Sequence, residues 1–369
     1  MGELLQISMR VAADKTLYFV VPDAIDDPQR VSGGNVYDRH VRDGLRNTGW
    51  DVRMVETPTG SESFTVRALS ELPDGALVLV DGLIAVREPG ALAAHSHRLR
   101  VIVLAHMVAS LATGLSPDGT DLDDVANREA AALKSAHRVV ATSAWTRSEL
   151  VRRFLVPPET LVIAQPGTDS AAITTVSRGG RRLLCVGVVA PHKGQDVLVR
   201  VLARLSGVGD WTCTFVGSLT TEPNFVADLT GTVHAAHLDA RVRFLGPVTG
   251  QALDEAYGQA DLVVVPSRAE SFGMVVAEAL ARGIPVVASR VGGVPEALSS
   301  SEAGILVPAD DPAALESVLR DWWSNQTLRD DLVTAAREAR TTVRSWSSTI
   351  STIELVLHEM THTGTKVWA

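Results

Sequence analysis

Cysteine is nearly absent. Cys185 and Cys213 are the only two in 369 residues, and both fall in apolar runs that read as buried strands, where a free thiol behaves as a small hydrophobe. That usage excludes a disulfide scaffold and points to a reducing, cytoplasmic compartment. Long apolar runs are missing as well: no stretch approaches the ~18 consecutive apolar residues of a membrane-spanning helix. The opening M-G-E-L-L-Q-I-S-M-R has no charged segment followed by an apolar core, so no secretory signal is read, and Gln6 stands where a myristoylation signal needs Ser or Thr. Positive charge is in deficit. Residues 1–169 hold seventeen Lys and Arg against twenty-two Asp and Glu, the remainder seventeen against twenty-one, which argues against nucleic acid as a partner. No G-x-x-x-x-G-K-[ST] loop is present, which argues against a P-loop nucleoside triphosphatase. The first apolar strand runs into P-D-A-I-D-D-P-Q-R rather than a G-x-G-x-x-G turn, which argues against an NAD-dependent dehydrogenase.

What is present is an alternation of apolar strands and helical segments along almost the whole chain, the pattern of an α/β protein with parallel sheets covered on both faces. In the first half, strands are expected at Leu17–Val21, Asp51–Val55, Leu77–Val80, Val101–Leu104, Arg138–Ala141 and Leu161–Ala164. In the second they are expected at Arg182–Val186, Trp211–Val216, Val242–Leu245, Leu262–Val265, Val286–Ala288 and Gly304–Val307. A length of 369 residues suits two domains, each burying its own core. Gln165 to Arg181, rich in Pro, Gly, Ser and Thr, marks the boundary, giving domains at 1–170 and 171–344. Helices follow at about Pro312–Trp323, Leu328–Thr342 and Ser347–Met360.

The segment P-S-R-A-E-S-F-G-M-V-V-A-E-A-L-A-R-G-I-P-V-V-A-S-R-V-G-G-V-P-E, Pro266 to Glu296, carries the densest chemistry. Leu262–Val265 reads as a buried strand, Pro266–Ser271 as a turn and Met274–Ala281 as a helix. A turn at the carboxyl end of a strand is where open α/β sheets bind ligands. The amides of Phe272, Gly273, Met274 and Val275 have no acceptor within their helix and favour phosphate or sugar oxygens, and Gly273 admits a ligand close to the backbone. Glu270 then sits beside a sugar, while Glu278 can accept hydrogen bonds from ribose hydroxyls through its paired oxygens.

This Glu-x7-Glu element, the following G-I-P-V-V-A-S and the V-G-G-V-P-E turn resemble glycosyltransferase family 4, whose members are retaining enzymes of the two-domain GT-B fold. The resemblance implies a nucleotide-sugar donor held mainly by the second domain, Ser271 to Val275 and Glu278 included, and a last segment, about 345–369, crossing back onto the first. Gly33 and Gly34, in V-S-G-G-N-V-Y-D-R-H-V, would contact the donor diphosphate, with Asn35, Tyr37 and Arg39 facing the acceptor. The residues alone read equally well as a helix entry capped by Ser32. His106 ends an apolar strand, where a lone histidine is more readily structural; the family places one there beside the transferred sugar, binding rather than abstracting a proton. Lys193, in A-P-H-K-G-Q, would neutralise the diphosphate. The Arg243–Gly246 segment, with Leu245, would flank the base. Ser143 reads as a helix cap, and Trp322 and Trp323 as packing residues.

One position departs from the family pattern. Val188 stands where an arginine is usual, so a diphosphate cation is missing or supplied by Arg268, Arg290 or His192. With Asp121, Asp123 and Asp124 reading as an acidic helix start, nothing resembles the Asp-x-Asp metal site of the other major glycosyltransferase fold, and neither metal nor cofactor is implied. The expected activity is retaining, metal-independent sugar transfer from a UDP-sugar, or a GDP-sugar, to a small-molecule, glycan or lipid acceptor that the sequence leaves unidentified. Catalysis would rest on His106, Glu270 and Lys193. Peripheral membrane association stays open. The principal rival is a non-catalytic sugar-nucleotide-binding or partner subunit, which loss of the arginine at Val188 would suit.

Overall fold

The computed structural model describes residues 15–23, 25–58, 64–111, 122–153, 155–299 and 302–362; residues 1–14, Asp121 and the end of the expected crossover segment, 363–369, lie outside them. Among the described residues twelve strands form two sheets. The first contains β1 (Thr16–Pro22), β2 (Asp51–Thr57), β3 (Leu77–Asp81), β4 (Arg100–Ala105), β5 (Arg138–Ala141) and β6 (Leu161–Ile163), in the order β2-β1-β3-β4-β5-β6. The second contains β7 (Arg182–Val186), β8 (Thr212–Val216), β9 (Val242–Phe244), β10 (Leu262–Val265), β11 (Val286–Ser289) and β12 (Gly304–Val307), in the order β12-β11-β10-β7-β8-β9. Every pairing between them is parallel. Each strand falls within two residues of its expected span, because strands covered on both faces are written as unbroken apolar runs. β3 and β10 are buried along their whole length.

Strand order reverses between β1 and β3 in one sheet and between β7 and β10 in the other. At such a reversal the connections leave on opposite faces, and a crevice opens beyond the carboxyl ends of the strands. These two crevices hold the residues of interest.

The last helix, Trp346–His362, belongs to the first sheet. It buries Ile350, Ile353, Val356, Leu357 and Met360 with Leu17, Phe19, Tyr37 and Leu45 in one core. Each buried aliphatic side chain of this kind contributes about 1.5–3 kcal/mol relative to exposure. Gly44, inside the Gly33–Asn47 helix, gives Ile350 its room; a Cβ there would collide with it. The chain thus passes twice between the sheets, and the two passages lie side by side, with Thr168 N–H donating to Arg344 O at 2.9 Å and Thr168 bridging Ser345. The indole N–H groups of Trp322 and Trp323 both donate to Gly180 O, at 2.7 and 3.1 Å, and both rings are buried as packing residues.

Candidate functional site

On the second sheet the site begins with the turns after β7 and β10, which flank the strand-order reversal. Lys193 Nζ donates to Glu270 Oε1 at 2.6 Å, and Ser267 Oγ donates to the same oxygen at 2.8 Å. Two glycines let these turns meet. Gly194 sits at φ +65° with its Cα against Pro266 O, and Gly292 at φ +52° against Glu270 O, so that a Cβ at either would overlap a carbonyl. The amides of Phe272, Gly273, Met274 and Val275 reach no acceptor among the described residues, since the first bond of this helix entry runs from Val276 N–H to Gly273 O. Four consecutive donors at the positive end of a helix therefore stand beside the Lys193–Glu270 pair. From Lys193 the ends of β7, β8 and β9 form a backbone row, Gly187 N–H to Val216 O (2.8 Å) and Gly217 N–H to Gly246 O (2.9 Å), with half-exposed Leu245 at its far end.

Glu278 lies one turn into the helix. Tyr257 OH donates to its Oε2 at 2.6 Å, which leaves Oε1 without a protein partner among the described residues. Burial raises its pKa, while the Tyr257 bond and the nearby Arg282 pull the other way.

On the first sheet, the Gly33–Asn47 helix starts at the glycine pair. Ser32 Oγ caps it by accepting from Asn35 N–H at 3.1 Å. The amides of Gly33 and Gly34 reach no acceptor among the described residues. Gly34 faces the imidazole of His106 and Gly33 faces Met274 of the other sheet's helix, with an added Cβ 3.5 Å from His106 Cδ2 and 3.6 Å from Met274 Sδ respectively. The glycine pair therefore lies between the two halves of the site.

His106 is not solitary. Its Nε2 is 2.8 Å from Asp38 Oδ1 and 3.2 Å from Asp81 Oδ2, and all three side chains are buried. Burial opposes charge on the imidazole, but the carboxylates of Asp38 and Asp81 outweigh it and hold its pKa at about 10. Burial pushes Asp38 up to about 7 against the pull of His106, and its Oδ2 has no hydrogen-bond partner among the described residues. Asp81 is also raised by burial, yet His106 and the amides of Ile84 and Leu83 bring it below the ordinary carboxylate range. The three ligand-type atoms lie within 4.8 Å of one another, a spacing that could hold a cation; the two N–O distances are those of a proton shared between the imidazole and its carboxylates. With Nε2 turned inward, Nδ1 is the nitrogen left for a ligand. Downstream, buried Glu129 accepts from Ala109 N–H, Ser110 N–H and Ser110 Oγ at 2.8, 3.1 and 2.8 Å, pinning the chain that follows His106.

One sequence expectation, Tyr37, is overturned here, and the surroundings of several others are defined. Tyr37 does not face an acceptor: it is 1% exposed, packs edge-on against His106 and Trp346, and donates its hydroxyl to Ala164 O at 2.8 Å. Asn35 spends its Nδ2 on Arg30 O at 2.8 Å, a local turn bond, and Arg39 is half-buried on the same helix. Of the candidates to replace an arginine at Val188, Arg268 is held bidentate by Asp196, 2.8 Å to each oxygen, and by Asp310 at 2.7 Å. His192 is neutral at ordinary pH because burial, then Lys193, lowers its pKa to about 4. Arg290 is exposed, with no side-chain partner among the described residues, two positions before the glycine that packs on Glu270.

Sequence reasoning also missed the contacts that join the halves. Ser143 caps its helix, accepting from Thr146 N–H at 2.9 Å, and in addition donates across the cleft to Ser271 O at 2.6 Å. Glu296 accepts from Ala144 N–H (2.8 Å), Trp145 N–H (2.7 Å) and Gln165 Nε2 (3.0 Å). The signals for Asp38 and Asp81 were present. Asp38 stands four residues after Gly34, hence on the same helix face, and Asp81 ends an otherwise apolar strand.

Comparison with known proteins adds an independent finding. Residues 170–339 match the family model described as glycosyl transferases group 1. A D-inositol 3-phosphate glycosyltransferase of Corynebacterium efficiens is 29% identical over 291 residues, covering 72% of this chain and 66% of that protein. A D-inositol 3-phosphate glycosyltransferase 1 of Catenulispora acidiphila is 32% identical over 250 residues, covering 63% and 60%. The chain thus spans less than two thirds of the length of these relatives. Among solved structures, sucrose-phosphate synthase from Thermosynechococcus elongatus has a TM-score of 0.79 at 20% identity, over 94% of this chain and 98% of that one. Anabaena HepE, solved with UDP and glucose, has a TM-score of 0.74 at 17% identity, over 93% and 99%. The likeness to these structures is one of fold, and that fold is GT-B.

Proposed function

We propose, on the premise that residues 170–339 belong to the glycosyl transferases group 1 family, that this chain transfers a sugar from a nucleoside diphosphate sugar to an acceptor with retention of anomeric configuration. The observation that carries the reading is the pair of facing helix entries. The amides of Phe272–Val275 and of Gly33–Gly34 reach no acceptor among the described residues, and Gly33 faces Met274 at the other entry, in the helix that follows the Lys193–Glu270 pair. Two such donor sets and a cation suit a diphosphate, whose charge they stabilise most as it departs.

In this reading Lys193 shares its charge between Glu270 and the leaving diphosphate, and Glu278 Oε1 accepts from ribose. Leu245 lies under the base at the end of the backbone row. The His106 imidazolium, fixed through Nε2, presents Nδ1–H to an oxygen of the sugar or phosphate. The acceptor oxygen bonds to the anomeric carbon on the face from which the phosphate leaves. The anomeric carbon–phosphate oxygen bond breaks, and the acceptor proton passes to the leaving phosphate oxygen. The protein contributes position and charge stabilisation, and no protein base or metal is assigned a step. The UDP in the HepE complex makes UDP the first nucleotide to test, and the relatives' name makes D-inositol 3-phosphate the first acceptor.

The test is a thermal-shift panel of UDP, GDP, ADP and NAD, followed by donor hydrolysis and transfer assays. Stabilisation by a nucleoside diphosphate follows from binding to the native state. A shift with NAD alone would overturn the reading. The valine at 188 favours one alternative, a sugar-nucleotide-binding subunit, and nucleotide binding with neither hydrolysis nor transfer would select it.

A further inference from the structure

We infer that Glu296 is a positioning residue: its carboxylate, with Ser143 and Gln165, forms a latch that closes the first sheet unit onto the donor turn and sets the spacing between His106 and Glu270. The catalytic consequence rests on the transfer reading above; the latch itself rests on geometry.

Glu296 ends the V-G-G-V-P-E turn, three residues after Gly293, whose amide donates to Glu270 O at 3.1 Å. From there the side chain reaches the other unit. Its two oxygens receive Ala144 N–H and Trp145 N–H, the free first-turn amides of the Ala144–Arg152 helix, and Gln165 Nε2 from the passage between sheets. A carboxylate is well suited to that place, since it answers orphan donors and the positive helix end together. Beside it, Ser143 Oγ donates to Ser271 O, the carbonyl next to the free Phe272 amide. Ser143 is in turn tied to the first unit's catalytic strand end, because its neighbour Thr142 donates its hydroxyl to His106 O at 3.1 Å. A continuous line of contacts thus runs from His106 through Thr142 and Ser143 to Ser271, and from Glu296 back to Glu270.

Two features make this a reversible latch rather than a fixed seam. Its direct links are polar; Ser143 is buried, but Ala144 is exposed and Trp145 and Glu296 are half-buried, so water can take over the Glu296 bonds when the units part. Polar contacts between units of one chain permit relative motion by default. The adjacent passages at Thr168 and Ser345 supply two neighbouring segments about which such motion would pivot.

The test uses the full chain and its Glu296→Ala and Glu296→Gln variants. Spin labels are placed on exposed helix positions of the two units through Arg67→Cys and Ala227→Cys; the native cysteines are buried. The expected result is a longer and broader distance distribution in Glu296→Ala than in the parent, an intermediate one in Glu296→Gln, and a return toward the parent distance on adding UDP. An unchanged distribution in Glu296→Ala overturns the latch whatever the activity. With UDP-glucose as donor, the expected kinetic signature is a fall in turnover of roughly tenfold or more with UDP affinity within about threefold of the parent, since most of the groups assigned to the nucleotide, Lys193, Leu245, Glu278 and the Phe272–Val275 amides, lie on the second unit and only the Gly33–Gly34 amides and His106 come from the first. Equal losses in both would make Glu296 a local support of the donor turn and overturn the positioning role. Absence of UDP binding in the parent would refute the transfer reading separately, leaving the label distances to decide the latch.

Discussion

Substituting arginine for Val188 is expected to tighten nucleoside diphosphate binding. The position is half-buried at the end of β7, its carbonyl held by Gln195 Nε2 at 2.8 Å, and the preceding Gly187 lies against the aliphatic stem of Lys193. A side chain introduced there starts beside the cation already assigned to the phosphates. The neighbourhood is short of positive charge: Lys193 is paired with Glu270, Arg268 is locked between Asp196 and Asp310, and His192 is neutral. A hydrogen bond to a charged group nets about 1.5–3 kcal/mol, and immobilising one long side chain costs about 0.5–1.5 kcal/mol. The difference, about 0–2.5 kcal/mol with a midpoint of about 1.25 kcal/mol, corresponds at that midpoint to about an eightfold lower Kd. Isothermal titration of UDP and GDP into both proteins measures it directly, and slower product release should accompany it. Unchanged or weaker affinity would refute the reasoning and mean that Arg290 already supplies the charge. In that case Arg290→Ala would weaken binding in the parent by a similar factor.

Glu278→Ala should weaken UDP binding, by about 1–3 kcal/mol for a buried hydrogen-bonding carboxylate, whereas Glu270→Ala should spare UDP and reduce turnover; equal UDP affinity in Glu278→Ala and the parent removes the ribose assignment. The pH dependence of stability should carry the signature of His106. Its pKa is raised from an ordinary value near 6.5 to about 10 on folding, so its contribution is fully present below about pH 6.5 and lost as pH rises through 10. The fall in Tm between pH 7 and pH 10 should therefore be smaller in His106→Asn than in the parent, and an identical fall in both would count against the buried imidazolium. Gly44→Ala should destabilise by about 1–3 kcal/mol through overpacking against Ile350; Ile350→Ala added to it should recover part of that loss in a double-mutant cycle by chemical denaturation.

Much of this molecule is legible in its sequence, for a definite reason. Parallel strands buried on both faces appear as short apolar runs, and the turns that follow them collect the polar residues. Lys193 and Glu270, 77 positions apart, could thus each be placed in the turn at the carboxyl end of a strand. What could not be read is which strand ends meet across the cleft. Asp38, Asp81 and His106 come from three elements whose adjacency depends on strand order, and neither Glu296 nor Ser143 carries any local mark of a partner in the other sheet. Tyr37 is different, because Tyr37, Val41 and Leu45 recur at helical spacing and are buried together. The periodicity announced a core residue, and the polar hydroxyl drew attention away from it.

The docking of Trp346–His362 onto the first sheet has a consequence for how the protein is made. The core around Leu17, Phe19 and Tyr37 is complete only when Ile350, Ile353, Val356, Leu357 and Met360 have been added. All the strands of the second sheet have by then been synthesised. Domains usually mature on the ribosome in the order in which they are written; here the later-written sheet can mature first, and the earlier one must wait, with one apolar face uncovered, until Trp346–His362 has been made.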